Sequence, residues 1–156
     1  MSNGLAPRSA DAPLDESAVG HIVGYLVARA RTPLRRLYFE RIGDVHGLRP
    51  VEFTVLMLAW TNKDVTLKRL TQTLSVTAPN ITVVIDRLEA RGLVKRIRSQ
   101  ADRRSMMIHV QPAGERIARE AGEISRTMED PALAMLSPAE RRSLVAMLMR
   151  VIEGSR

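Results

Sequence analysis

A short polar stretch of the chain, TAPNITV, carries the side chains best suited to specific recognition. The amide of Asn80 can read an adenine edge through two hydrogen bonds, and a capping role in its own helix is the alternative. Thr82 can bond a base or a phosphate, and Val83 or Pro79 can contact a thymine methyl group. The stretch predicts DNA contacts from five residues: Thr77, Pro79, Asn80, Thr82 and Val83.

A basic cluster, ADRRS, lies further along the chain and suits the phosphate backbone of DNA. We expect Arg103 to insert into a minor groove, with Arg98 and Arg104 as candidates for phosphate or bracing contacts. Asp102 is expected to orient an arginine, because a carboxylate beside a phosphate is repulsive. For the cluster taken alone, a solvated basic surface is the alternative.

The positive charge of the chain is concentrated around these two groups. Residues 49–110 contain eleven basic and five acidic residues, residues 1–48 contain six and five, and residues 111–156 contain seven and seven. Nearly all of the net charge of +7 therefore lies in one segment, which indicates a polyanionic partner. Arg87, in that segment, either reaches a phosphate or pairs with an acid on its own helix.

Two helices are predicted to position the polar stretch. Thr66 can cap the first, residues 67–74. The second begins near Thr77, a possible cap, with Pro79 in its first turn, and closes at Gly92, which can take a left-handed conformation. Apolar residues recur at helical spacing along one face of this second helix: Ile81, Val84, Ile85 and Leu88.

The hydrophobic pattern changes to that of β-strands after the second helix. Residues 94–98 and 106–110 favour strands, and the polar loop 100–104 between them suits a hairpin tip. A helix-turn-helix followed by such a ribbon is a winged helix, a mainly α fold with a small β-wing. In this arrangement the second helix enters the major groove of DNA, and the wing reaches a phosphate or the adjacent minor groove.

The run DRLEARGLVKR followed by ADRRS resembles the multiple antibiotic resistance regulator (MarR) family, over most of the chain from about Ser17 to Gly154. The resemblance implies a homodimeric winged helix-turn-helix regulator that binds double-stranded DNA at a palindromic operator. Arg49 stands where the family usually has a capping Ser or Thr, and Val83 where many relatives have a basic residue. Within the family, the chain looks like regulators of aromatic-acid (hydroxycinnamate-type) catabolism.

The DNA-binding segment is predicted to lie between a tail and two dimerisation regions. Residues 1–14 are expected to be a flexible tail, and residues 15–48 a helix with a kink or local break at Pro33. Residues 49–110 would form the winged helix-turn-helix. Residues 111–156 would form the C-terminal dimerisation helices.

The C-terminal region is predicted to contain a helix to about Met128, a break or bend at Pro131 and a capping box that begins at Ser137. The end helices are amphipathic but have little core of their own to cover. We therefore expect them to pack against a second copy, with a monomer whose ends close on themselves as the alternative. The last helix places its apolar residues on one face: Leu144, Val145, Leu148, Val151 and Ile152.

All five aromatic residues lie between positions 25 and 60, where the resemblance places the small-molecule pocket of the family. Arginines of the first helix could hold an anionic group there. The alternative is that the aromatic residues fill the core and the arginines are solvated, and His21 and His46 are also expected to be structural. The candidate ligands are an aromatic acid or its coenzyme A thioester, bound by Tyr25, Arg29, Arg36, Tyr38, Phe39 and Trp60.

Composition argues against several classes of function. The chain has no cysteine, and its three histidines lack metal-like spacing, so neither a metal nor a cofactor is expected. Without a glycine-rich phosphate loop or a partnered nucleophile, we expect no enzyme. No apolar run approaches the ~20 residues of a membrane helix, and the N-terminus lacks a signal-peptide pattern, so we expect a cytoplasmic protein. A constitutive DNA-binding or architectural protein without an effector is the alternative to a ligand-responsive repressor.

Overall fold

The computed structural model describes residues 13–98 and 106–154 and confirms a mainly helical fold with one two-stranded sheet. The elements in chain order are α1 (Val23–Tyr38), a π-helical turn (Phe39–Gly43), α2 (Asp44–His46), α3 (Pro50–Thr61), α4 (Leu67–Leu74), α5 (Ala78–Ala90), β1 (Val94–Arg98), β2 (Met106–Val110), α6 (Pro112–Ser125) and α7 (Pro138–Gly154).

The contacts divide the chain into two compact units, with the boundary between Pro33 and Leu34. In the first unit, helix α1 begins at Val23, later than the sequence pattern suggested, and turns precede it. The helix continues through Pro33, so no break occurs at this residue. Pro33 is exposed, and the carbonyl that it leaves without a helical partner can therefore reach water.

The irregularity of this region falls after α1, in the π-helical turn Phe39–Gly43. A Cβ at Gly43 would lie 2.6 Å from a ring carbon of Phe39, so the close approach requires glycine. The helical segment ends at Gly47, which has a left-handed φ of 62°. The Leu48 N–H then donates to the Gly43 carbonyl at 3.0 Å, as in a Schellman-type helix end.

The core of the second unit is built around α5. Ile81 and Leu88 of its predicted apolar stripe are completely buried, and they pack with Val55 and Leu56 of α3 and Leu70 of α4. Burial of a large apolar side chain contributes about 1.5–3 kcal/mol, so this stripe determines which way α5 faces. The opposite face of α5 is consequently left in solvent.

The predicted ends of α4 and α5 are correct in position, but one of the predicted capping hydrogen bonds is not formed. Thr66 Oγ1 accepts the Arg69 N–H at 3.3 Å and caps α4, and Gly92 takes a left-handed φ of 66° after α5. Thr77 occupies the N-cap position of α5, and Pro79 lies in the first turn. However, the Thr77 side chain makes no capping hydrogen bond, so the predicted cap is wrong.

The two wing strands have the predicted bounds and pair antiparallel, with Val94 opposite Val110 and Arg98 opposite Met106. The ribbon is tied to the helix-turn-helix, because the Ile108 N–H donates to the Val65 carbonyl at 2.8 Å. The predicted hairpin tip, residues 100–104, lies outside the described residues.

Arg96 of β1 joins the wing to α5 through two carboxylates. Its guanidinium lies 2.6 Å from Asp86 Oδ1 and 2.6 Å from Glu89 Oε2. The Arg96 backbone N–H also donates to Glu89 Oε1 at 2.9 Å, and this bond is the main reason that the pKa of Glu89 is lowered. The two acids of the DRLE motif thus brace the wing on the helix.

Helix α6 begins directly against Leu93, the residue just before the first wing strand. A Cβ at Gly114 would lie 2.1 Å from the Leu93 carbonyl oxygen, so only glycine fits this backbone contact. The helix ends at Ser125, and turns follow over residues 126–136. Pro131 therefore lies beyond the helix and does not break it, because the chain has already turned.

The capping box predicted for the last helix is confirmed. The Glu140 N–H donates to Ser137 Oγ at 3.3 Å, and Glu140 Oε2 accepts the Ser137 N–H at 2.7 Å. The helix that it starts, α7, has no buried residue in the single chain. Its predicted apolar face is exposed throughout, from 36% at Leu144 to 67% at Val151.

We predict that Gly114→Ala destabilises the protein by about 1–3 kcal/mol, because the new methyl group overpacks against the Leu93 carbonyl. Urea unfolding at one fixed protein concentration measures the change. Gly24→Ala is the matched control, since a Cβ at Gly24 in α1 meets nothing within 4 Å. A Gly114→Ala protein as stable as wild type would contradict the packing described for α6.

We also predict that the Glu89–Arg96 contact makes stability depend on pH. The pKa of Glu89 is lowered from its ordinary 4.5 in the folded state, so its contribution is present above 4.5 and is lost as pH falls through the lower folded value. At pH 7, Glu89→Gln should have a lower melting temperature than wild type. The difference between the two melting temperatures should become smaller at acid pH. Glu153→Gln, an exposed site on α7, should show neither effect. A gap that stays constant from pH 7 to acid would contradict this assignment.

Candidate DNA-binding surface

The N-terminal turns of α5 present the predicted base-reading residues on the face opposite the buried stripe. Thr77, Pro79 and Asn80 are exposed, and Val83 is 47% exposed although it is apolar. Within the described residues Asn80 has no side-chain hydrogen bond, so the capping alternative is not realised. The amide is therefore available for two bonds to a base edge.

Thr82 differs from its neighbours because its hydroxyl is already engaged. Its Oγ1 donates to the Ala78 carbonyl at 2.9 Å, one turn earlier in the same helix. In this arrangement Thr82 can accept a hydrogen bond but has no proton to give. It can meet an amino group of a base, whereas a phosphate oxygen would need the hydroxyl to rotate.

The wing contributes one candidate that the structure describes. Arg98 is exposed at the end of β1, so its guanidinium is placed where it could approach a phosphate. The other three candidates, Asp102, Arg103 and Arg104, lie outside the described residues. Their DNA contacts stay predictions from the sequence.

Several of the basic side chains of residues 49–110 bind acceptors within the protein itself. Arg69 donates to the carbonyls of Lys63 and Asp64, and so holds the turn before α4. Arg96 carries the brace to α5, and Arg87 pairs with a buried acid of α3, Glu52, at 3.7 Å. The partner of Arg87 thus lies on another helix rather than its own. These structural arginines were not recognised from the sequence, because their acceptors are distant in the chain or are backbone carbonyls.

Two of the candidate ligand residues belong to the first unit. The Tyr25 hydroxyl donates to Glu16 Oε2 at 2.6 Å, a bond that raises the pKa of the phenol. Arg29 pairs with the other oxygen of Glu16 at 3.0 Å. The structure thus brings these two predicted residues together on one carboxylate, Glu16, which the sequence pattern does not reveal.

In the second unit, Tyr38 behaves as a core residue. Its hydroxyl donates to the Leu48 carbonyl at 3.0 Å, and burial, followed by the charge of Glu52, raises its pKa. The ring contacts Phe39 edge-on and Phe53 at an angle, with centroids 5.5 and 5.8 Å away. For Tyr38, the core-filling alternative therefore describes the structure better than a ligand wall.

The remaining candidates are more accessible. Arg36 is exposed and lies 3.5 Å from Glu40, one turn along the chain. Trp60 is 39% exposed and makes no ring contact with Tyr38 or Phe39 among the described residues. It lines a cleft of about 140 Å³ with His109 and Glu115.

Other classes of site are not found in the part of the chain that the structure describes. Residues 13–98 and 106–154 contain no group of three or more potential metal ligands. Within the same ranges no helix is long and apolar enough to cross a membrane.

Comparisons with known proteins agree with this architecture. Residues 48–106 match the model of the MarR family. The chain is 31% identical over 105 residues to the uncharacterized HTH-type transcriptional regulator YkoM of Bacillus subtilis, an alignment that covers 67% of this chain and 68% of the relative. It is 28% identical over 147 residues to a putative transcriptional regulatory protein for the hcr operon of Thauera aromatica, covering 93% and 88%.

Solved structures give the same result. The transcriptional repressor CouR bound to a 23-mer DNA duplex superposes with a TM-score of 0.80 and 27% identity, covering 90% of this chain and 99% of that one. A probable transcriptional regulator from Pseudomonas aeruginosa superposes with a TM-score of 0.76 and 26% identity, covering 84% and 97%. The chain belongs to the MarR family of winged helix-turn-helix transcriptional regulators, which are DNA-binding proteins and not enzymes.

Proposed function

We propose that this regulator is a homodimeric repressor that reads a palindromic operator through α5 and is released by an aromatic acid or its coenzyme A thioester. The observation that carries the DNA-reading part is the exposed polar turn of α5 opposite a fully buried stripe. A helix fixed in this way can insert its first turns into a major groove. The similarity to CouR, a repressor bound to a DNA duplex, supports the repressor role.

The dimer is proposed from the apolar surface of the last helix. Val145, Leu148, Val151 and Ile152 of α7 are between 39% and 67% exposed in the single chain. An apolar face of this extent on a helix is a liability unless another surface covers it. The family resemblance implies a second copy as the occupant, and a twofold axis would then place two α5 helices on two half-sites.

The effector is proposed from the aromatic residues and arginines of residues 35–60. Arg35 lies over the Phe39 ring at 5.4 Å, and Arg36 is exposed, so cationic groups stand beside aromatic surface. An anionic aromatic ligand suits such a surface, with its carboxylate or phosphate on a guanidinium. A constitutive DNA-binding protein without an effector is the competing function, and a ligand titration distinguishes the two.

For operator binding we predict different effects of Asn80→Ala and Arg98→Ala. An operator is first selected from a random-sequence duplex pool. Asn80→Ala should then lose discrimination at particular base pairs by ~1–3 kcal/mol, because a bidentate contact is removed. Arg98→Ala should weaken binding to all sequences alike and lower the slope of log K against log salt by about one. The same uniform effect is expected of Arg103→Ala.

Competition binding with single-base operator variants, repeated at several salt concentrations, measures both quantities. Uniform weakening by Asn80→Ala, with discrimination retained, would contradict base reading by α5. An unchanged salt slope in both arginine variants would contradict the proposed wing contacts. Arg116→Ala, on the exposed surface of α6, serves as the charge-matched control.

For the effector we predict that a hydroxycinnamate-type acid or its coenzyme A thioester binds and weakens operator affinity. A ligand shifts DNA binding only if it prefers the non-DNA conformation, and couplings of ~1–3 kcal/mol correspond to about 5–150-fold in affinity. Calorimetric titration of wild type, Arg36→Ala and Trp60→Ala tests the contacts, alongside operator-binding assays. If no compound of the panel binds, or if a ligand binds while operator affinity stays constant, the constitutive function replaces this one.

A further inference from the structure

The C-terminal end of α5 is held to the turn that links α2 to α3. Arg91 directly follows the helix, and its guanidinium donates from Nη1 to the Gly47 carbonyl at 2.6 Å and from Nη2 to the His46 carbonyl at 2.8 Å. Two donors on one planar group fix direction as well as distance. A Cβ at Gly47 would lie 3.7 Å from Nη2, so the guanidinium covers the turn closely.

A second arginine, Arg87 within α5, contacts α3 just after the turn that Arg91 binds. Arg87, one helical turn before Arg91, lies 3.7 Å from Glu52 Oε1 in the first turn of α3. Glu52 is only 5% exposed, and its other oxygen accepts the Arg49 N–H at 2.8 Å. The Glu52 carboxylate is therefore held by the backbone at Arg49, two residues after the turn that Arg91 contacts. Arg87 and Arg91 thus hold α5 at two points.

The turn that Arg91 grips also lies close to α6 on its far side. The His46 ring is 10% exposed, and its Nδ1 lies 4.0 Å from Glu120 Oε2 of α6. The α2–α3 turn thus contacts α6 through a side chain and α5 through two carbonyls. A turn packed between two helices in this way can serve as a reference for the orientation of α5.

The proposed base contacts lie at the opposite end of α5. Arg91 follows Asn80 by eleven positions, or about 16 Å at the helical rise of 1.5 Å per residue. A small change of tilt at the Arg91 end therefore produces a larger displacement of the base-reading turns at the other end of the helix. Bidentate base contacts need fixed geometry, whereas attraction to phosphates does not.

We propose that Arg91 is a positioning residue for operator recognition: its two bonds to the α2–α3 turn set the tilt at which α5 enters the major groove. Arg91 itself makes no contact with DNA. Its loss lowers operator affinity and leaves both the affinity for non-specific DNA and the salt dependence of binding unchanged. The inference rests on the proposed operator binding by α5.

The test compares Arg91→Met and Arg91→Lys in the full chain. Arg91→Met should bind the selected operator on the order of tenfold more weakly, equivalent to ~1.4 kcal/mol. Non-specific binding and the slope of log K against log salt should match wild type. Arg91→Lys keeps the charge but lacks the two-pronged donor, so it should not restore full affinity. Arg98→Met is the matched control, and as a phosphate contact it should lower the slope by about one.

Circular dichroism at the assay temperature, together with thermal melts, establishes that each variant is folded. If Arg91→Met does not fold, the operator affinity of Arg91→Lys tests the proposal. Full operator affinity in a folded Arg91→Met or Arg91→Lys protein would overturn the proposal. Equal weakening on operator and non-specific DNA with a reduced salt slope would also overturn it, since Arg91 would then be a phosphate contact. A wild type with no preferred sequence would instead refute the proposed operator binding, and this inference with it.

Discussion

The burial of one face of α5 is the constraint on which the rest of the molecule depends. Ile81, Ile85 and Leu88 are at most 1% exposed and pack against α3, α4 and the wing strands. Rotating α5 would move these side chains into water at about 1.5–3 kcal/mol each. The polar residues on the opposite face are therefore presented to solvent by the packing of the core, and they need no stabilising contact of their own.

Hydrogen bonds and ion pairs of arginine side chains then fix the tilt of α5 and the position of the wing, which the apolar core alone does not determine. A hydrophobic stripe sets the rotation of a helix about its axis but is less exact about tilt, because apolar contacts are not directional. Arg96 ties the wing to the carboxylates of α5, and Arg91 ties the far end of the helix to two carbonyls. The basic excess of this segment thus has two uses, of which only one is attraction to a polyanion. The net charge alone overstates how many cations can reach DNA.

The elements with a local signal were predictable from the sequence. The bounds of α4, the wing strands and the capping box at Ser137 follow from capping residues and hydrophobic periods that lie within a few positions of one another. The unbroken helix at Pro33 was not predictable, since tolerance of a proline depends on whether its surroundings leave the freed carbonyl in water. Thr77 shows a similar limit: its type and position suit a cap, yet its side chain does not turn back onto the helix.

Within the candidate site, the sequence predicted the exposed face of α5 because helical spacing alone separates it from the stripe. It could not predict the partners of Arg87 and Arg91, which belong to α3 and to a backbone turn brought close only by folding. The aromatic residues illustrate the same point. Their clustering in the chain suggested one surface, but Tyr38 is buried with its hydroxyl bonded to the backbone and Trp60 lines a separate cleft.

The function proposed above requires that two copies of α5 read the two halves of one operator. The most direct measurement is the number of chains per duplex, by sedimentation or native mass spectrometry, on the selected palindrome and on a duplex with one half-site scrambled. We expect two chains on the palindrome, bound cooperatively, and a large loss of affinity when one of the two half-sites, spaced about 34–36 Å apart, is destroyed. One chain per duplex, with equal affinity for the two DNAs, would contradict it.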